Sequence, residues 1–199
     1  MRSVLRPRPG TRLLAPALVL VVGLLASGCS GDGDGDAGPD QAEPSAAPTL
    51  EIEPVTELGR VTGRLPRKDA RVVEERVSRI AVRWLTDAYV GGSYPRGAFD
   101  NSFADFSRGA RAAARGDLRV MSNADIGKGV DAVTPTRMDV EVDVLAVGKR
   151  PVGSTAHVLT TFRTEGDQRG RYRVSGRLLL TKDGGRWTVF AYHVSKGGR

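Results

Sequence analysis

Behind Pro135 the hydrophobic period of this 199-residue chain falls to two, and that switch limits the fold more than any other feature. Met138, Val140, Val142 and Val144 alternate with Arg137, Asp139, Glu141 and Asp143. Successive side chains of a strand point to opposite faces, so this pattern describes a strand with one dry and one wet side. Gly148-Lys149-Arg150-Pro151 should turn the chain into a second strand over residues 154–164, with Ala156, Val158, Thr160 and Phe162 on one face. Residues 166–170 turn it again into residues 171–182, where Tyr172, Val174, Leu178 and Leu180 share a face and Gly176 marks a bulge or bend. Asp183-Gly184-Gly185 makes a hairpin turn into residues 186–195. In that last strand Trp187, Val189, Ala191 and His193 fall on one face and Phe190, Tyr192 and Val194 on the other. Links this short can only join antiparallel neighbours, so the four strands should form a meander.

Upstream of Asn123 the period is helical. Val73, Val77, Ile80, Trp84 and Ala88 recur at steps of three and four over residues 69–89, an apolar stripe along one helix that Gly91-Gly92 should stop. Asp69, Glu74 and Glu75 stand near its start, where negative charge suits the helix dipole. Phe99, Phe103 and Phe106 repeat the same spacing and residues 107–115 are rich in Ala and Arg, which predicts two short helices; residues 123–135 read as irregular. Helices first and hairpin-linked strands afterwards make an α+β domain over residues 58–199.

That element order, with the ending Leu178-Leu179-Leu180-Thr181-Lys182-Asp183-Gly184-Gly185-Arg186-Trp187, resembles the nuclear transport factor 2-like superfamily. Actinobacterial envelope proteins associated with Mce lipid-import systems are similar in the same respect. The resemblance implies a cone, in which a curved four-stranded antiparallel sheet wraps the long first helix and its short companions. It also implies a candidate pocket inside the cone, to which Trp84, Phe99, Phe103, Tyr172 and His193 would contribute. A core-facing role for the phenylalanines is the competing reading. Fold alone does not carry function.

The first 29 residues carry a second resemblance. Arg2, Arg6, Arg8 and Arg12 form a basic start, residues 13–25 an apolar stretch, and Ala26-Ser27-Gly28 lead to Cys29, the only cysteine. This is similar to the lipobox of bacterial lipoproteins, with Ala26 where the family usually has Leu. The resemblance implies cleavage between Gly28 and Cys29, a diacylglyceryl group with fatty-acyl (palmitate-type) chains on the Cys29 thiol, and attachment to the extracytoplasmic face of the cell membrane. A plain secretory signal with an incidental cysteine is one competing reading, and an uncleaved spanning anchor is the other. It needs about 20 apolar residues, whereas the stretch 13–28 is shorter and contains Pro16. With its one thiol used, the folded domain would be free of disulfides.

Charge divides the chain further. Residues 30–57 hold eight Asp or Glu and no Lys or Arg, among Gly, Pro, Ala and Ser, so residues 29–57 are expected to be a disordered acidic tether. From Leu58 onward 26 basic residues face 15 acidic ones, a net +11. The arginines are scattered and no groove-reading motif accompanies them, so nucleic acid is not the expected partner; attraction to anionic lipid or acidic wall polymer suits the charge better.

Catalytic signatures are sparse. Gly-x-Ser-x-Gly, P-loop and dinucleotide fingerprints do not occur, and no His/Cys/Asp group has metal-ligand spacing. His157, His193, Tyr172, Tyr192, Asp87, Asp139 and Asp143 are the side chains that could act as acids or bases, as in isomerases and cyclases of the superfamily. The sequence therefore points to a non-catalytic, membrane-anchored envelope lipoprotein without cofactor, presenting its domain to another envelope component. Binding of a lipid or small hydrophobic ligand inside the cone is the alternative, and an isomerase or cyclase a third reading.

Overall fold

In the computed structural model, which describes residues 52–198, the period-two pattern becomes four consecutive antiparallel strands. Before them comes a strand the sequence did not announce, β1 (Val55–Thr62). The others are β2 (Val133–Val147), β3 (Arg150–Thr164), β4 (Gly170–Asp183) and β5 (Arg186–Gly198). They form one five-stranded sheet in the order β1-β2-β3-β4-β5. β1 lies parallel to β2, with Val55 opposite Asp139 and Thr62 opposite Leu145. The expected four-stranded antiparallel sheet is thus a mixed sheet of five strands, and ordered pairing starts at Val55, inside the stretch read as tether. Gly28 and Cys29, with the signal and most of the tether, lie outside the described residues.

β1 escaped notice because its side chains do not alternate: Val55 and the charged Glu57 and Arg60 are exposed, and only Leu58 packs on the core. Backbone pairing holds it instead. The register shifts between Leu58 and Val61, and the Asp143 carboxylate accepts a hydrogen bond from the Arg60 backbone N–H at 2.7 Å. At Gly59 an added Cβ would lie 2.5 Å from that same carboxylate, so the close approach suits glycine.

The helical stripe becomes α1 (Arg67–Leu85), which continues through a π-helical turn (Thr86–Val90) to Gly91. Ala70, Val73, Val77, Ala81, Trp84, Leu85 and Ala88 are buried along it, and Ile80 sits at the border of that face. The stripe packs on the inner side of the sheet, where Met138, Val140, Val142 and Val144 of β2 meet Ala156, Val158 and Phe162 of β3 and Val174, Leu178 and Leu180 of β4. After α1 come a 3₁₀ turn (Asp100–Phe103), α2 (Arg108–Gly116) and the one-turn α3 (Leu118–Met121). Ser107 caps α2, its hydroxyl accepting from the Ala110 N–H at 3.2 Å. The Phe99, Phe103 and Phe106 stripe is not a helix. Phe103 ends the 3₁₀ turn, Phe106 forms a parallel bridge with Val189, and all three rings are buried.

β5 departs from the expected alternation at one residue. Leu179 pairs with Ala191 but Leu180 pairs with Val189, so Phe190 is bulged out of register and half exposed. An extra residue reverses which side chains face inward beyond it. Tyr192 and Val194 therefore turn toward the core, and His193 turns to the outer face beside Arg177. Gly176, expected to bulge, keeps its register opposite Val194; its lack of a side chain serves a close backbone approach, because a Cβ there would lie 2.2 Å from the His193 carbonyl oxygen.

These placements set two mutational expectations. Trp84→Ala should lower unfolding free energy by about 3–5 kcal/mol in chemical denaturation, since it empties the middle of the core. Gly176→Ala should lower the denaturation midpoint while His193→Ala leaves it unchanged; the reverse order would place the bulge elsewhere.

Candidate functional site

An aromatic layer fixes the end of the sheet where β3 and β4 are joined. Trp84 meets Tyr89 edge-on at 5.5 Å between ring centres, Tyr89 lies 6.3 Å from Phe162, and Phe162 stacks on Tyr172 at 5.4 Å and 13°. The two polar handles in this layer point the same way. Trp84 Nε1 donates to the Met121 carbonyl at 3.3 Å and the Tyr89 hydroxyl donates to the Val120 carbonyl at 2.5 Å, which ties down α3. Asn123 follows, its amide donating to the Tyr89 carbonyl at 2.8 Å.

Through this scaffold Asp125 reaches Lys196 of β5. Lys196 faces inward because of the bulge at Phe190, and its side chain is only 5% exposed. Its ammonium lies 2.5 Å from the Asp125 carboxylate, donates to the Ser122 carbonyl at 3.0 Å and sits 5.8 Å from the Tyr172 ring centre. Burial pushes the Lys196 pKa down, and Asp125 partly restores it. Tyr192 makes the neighbouring tie, its hydroxyl donating to the Asp117 carboxylate at 2.8 Å.

Two open clefts share Tyr172 and Lys196. The larger, about 750 Å³, runs over the ends of β3, β4 and β5 past Arg163, Arg171 and Arg173. The smaller, about 440 Å³, lies between β5 and α3 and includes Asp117, Arg119 and Asp125. Chemically this is a place for holding a polar or anionic ligand: the arginines and hydroxyls are donors, and Lys196 is already engaged by Asp125.

The residues expected to line one pocket are dispersed. Trp84 and Phe103 are fully buried in the packed core, Phe99 lines a separate cleft with Asp87 and Arg96, Tyr172 lines both clefts described above, and His193 is exposed on the outer face. Arg96 lies over the Phe99 ring at 4.1 Å and donates to the Asp87 carbonyl at 2.6 Å. Burial raises the Asp87 pKa, and Arg83 and Arg96 oppose that shift. His157 stands on the outer face, 3.2 Å from the Asp143 carboxylate, with both side chains well exposed. Asp139 is taken by Arg137. Among the described residues no group of three or more His, Cys, Asp or Glu could hold a metal ion, and no helix is long and apolar enough to cross a membrane.

Sequence reasoning missed Lys196, Asp125 and the three arginines. Lys196 lies beyond the expected end of β5, and only the alternation Tyr192, Val194, Lys196 could have signalled its inward direction. The Arg163, Arg171 and Arg173 set was legible only as part of a scattered positive charge.

No family model matches this chain, no curated protein shows significant similarity to it, and no solved structure does either.

The tyrosines give a pH expectation. All four, Tyr89, Tyr94, Tyr172 and Tyr192, have pKa values raised above the ordinary 10, chiefly by burial, with the Asp117 hydrogen bond adding to Tyr192. A raised folded value means that the unfolded chain loses these protons first, so stability is complete below pH 10 and falls as pH rises past it. Lys196 acts in the opposite sense, because its lowered folded value makes stability rise with pH toward 10.5. Four groups outweigh one. Urea unfolding should show a falling midpoint above about pH 10, with tyrosinate absorbance rising at higher pH in the folded domain than in the unfolded chain.

Proposed function

We propose that this chain is a non-catalytic envelope lipoprotein, fastened through acyl chains on Cys29 to the extracytoplasmic face of the cell membrane and presenting residues 55–198 as a binding domain to other envelope components. The observation that carries the presenting role is the filled interior. Trp84, Tyr89, Phe103, Phe162, Met121, Met138 and Leu178 are each at most 1% exposed, and they occupy the space between α1 and the sheet. A chain packed in this way works through its surface. Storage of a lipid between helix and sheet, the alternative, would need part of that core to open.

The finer fold reading belongs to the same proposal. A long first helix on the inner face of an antiparallel meander, β2 to β5, supports a nuclear transport factor 2-like cone of the actinobacterial Mce-associated type. The parallel strand β1 is an addition to that pattern. The anchor rests on the basic start, apolar run and small residues before Cys29. Two acyl chains give stable attachment where one gives only marginal binding, each buried methylene contributing about 0.8 kcal/mol. The absence of any cysteine from the folded part fits a domain held by packing alone.

Cys29→Ala should shift the protein from the detergent phase to the aqueous phase in a cloud-point partition, and mass spectrometry of the wild-type amino-terminal peptide should show the acyl increment. Unchanged partitioning, or a wild-type peptide without added mass, would overturn the anchor. Native mass spectrometry separates the two roles of the domain: an apo mass supports presentation, and a retained hydrophobic mass supports storage.

A further inference from the structure

The cleft of about 750 Å³ carries an electrostatic arrangement that the fold itself does not need. Arg163 of β3 and Arg171 of β4 are direct cross-strand partners, and Arg173 lies one step along the same face, opposite Thr161. Like charges placed directly opposite each other on a sheet are destabilising. Elsewhere on the surface Arg137 pairs with Asp139, Arg83 with Asp105 and Arg115 with Asp100. Arg163, Arg171 and Arg173 have no carboxylate and no side-chain hydrogen-bond acceptor among the described residues, and no acidic residue lines the cleft. Ser175 and Ser195 are cross-strand partners on the same face; the Ser195 hydroxyl donates to the Ser175 carbonyl at 3.3 Å, and the Ser175 and Thr161 hydroxyls add donors.

Planar guanidinium groups and hydroxyls converging on one open cleft match the tetrahedral oxygens of phosphate, which arginine grips through paired N–H donors. A bound dianion or phosphodiester would also relieve the repulsion between Arg163 and Arg171. Lys196, on the inner side of the same cleft, is held by Asp125 and serves as a wall rather than a ligand.

We propose that this cleft is a binding site for a phosphate group, with Arg163, Arg171 and Arg173 as its cationic ligands and Thr161 and Ser175 as neutral donors. The inference does not depend on acylation of Cys29, so the two fail separately. The phosphate can be a free phosphate ester or the headgroup of an anionic phospholipid.

The test uses the full chain in a neutral detergent, with binding followed by nuclear magnetic resonance of the arginine Nε–Hε groups. The probes are inorganic phosphate, glycerol 3-phosphate, and micelles doped with either phosphatidylglycerol or phosphatidylcholine. Arg163→Gln/Arg171→Gln should weaken binding of the preferred phosphate probe at least tenfold without lowering the unfolding midpoint, which relief of the cross-strand repulsion should if anything raise, whereas Arg64→Gln/Arg67→Gln, which removes the same charge elsewhere, should not weaken binding. Saturation by the soluble phosphates supports the site and identifies a free ester as its source. Saturation by phosphatidylglycerol micelles alone supports it with a lipid headgroup as the source. Equal loss in both double variants, or no saturable response to any phosphate probe, overturns the proposal.

Discussion

The contact between the Trp84 side of α1 and the inner face of the sheet is the interaction on which the other parts of the domain depend. The apolar stripe of this helix and the apolar face of this sheet must each be buried against another element, so each requires the other. The aromatic members of the contact do more than exclude water. Trp84 and Tyr89 are large apolar bodies with one donor each, and both donors reach carbonyls of α3. A helix of four residues has too few internal hydrogen bonds to persist alone. Its position is therefore borrowed from the core, and the Ser122 to Asp125 segment that follows inherits it. Asp125 in turn neutralises Lys196, which would otherwise be an unpaired charge out of water. The shape of the cleft beside Tyr172 is thus set by an aromatic layer on the far side of that tyrosine.

The edges of the sheet are handled by different means. β1 protects the open side of β2 through parallel backbone pairing, and Asp143 holds it at its irregularity. At the other edge Val189 exchanges hydrogen bonds with the segment that carries Phe106: its N–H donates to the Asp105 carbonyl and its carbonyl accepts from the Ser107 N–H. The bridge to Val189 covers backbone groups of β5 that would invite pairing with another chain, while β1 forms the other edge of the sheet. The bulge at Phe190 directly follows this bridge. With Val189 engaged on both sides, β5 resumes its pairing with β4 one residue late, and the direction of Tyr192, His193, Val194 and Lys196 follows.

Much of the framework was legible because it rests on local periodicity. The stripe containing Val73, Val77 and Trp84, the alternation of Met138 to Val144 and the glycine-rich turns each depend on residues close in sequence. Three features were not legible, for separate reasons. β1 has no apolar alternation, since its partner supplies hydrogen bonds rather than a buried face. The Phe99, Phe103 and Phe106 spacing suited a helix, but it arises from three rings entering the core from a chain that turns and then bridges to β5. His193 was assigned to the wrong face because one bulged residue reverses all that follow it. The candidate site was visible only in fragments: Tyr172 was singled out, whereas the arginines became a cluster only when β3 and β4 were aligned.

What the sequence by itself determined is the inventory: one long amphipathic helix, four strands whose inner residues are apolar, a surplus of arginine, and a single cysteine behind a short apolar run. Those properties reside in the order of neighbouring side chains, which is how local conformation and targeting signals are written. Tertiary structure decided which charges meet. Arg163 and Arg171 are separated along the chain by a turn whose length sets their register, and Lys196 faces Asp125 only because a bulge and an anchored α3 bring them to one side. Electrostatic relations between distant residues depend on distances in space, and those are fixed only when the core has closed.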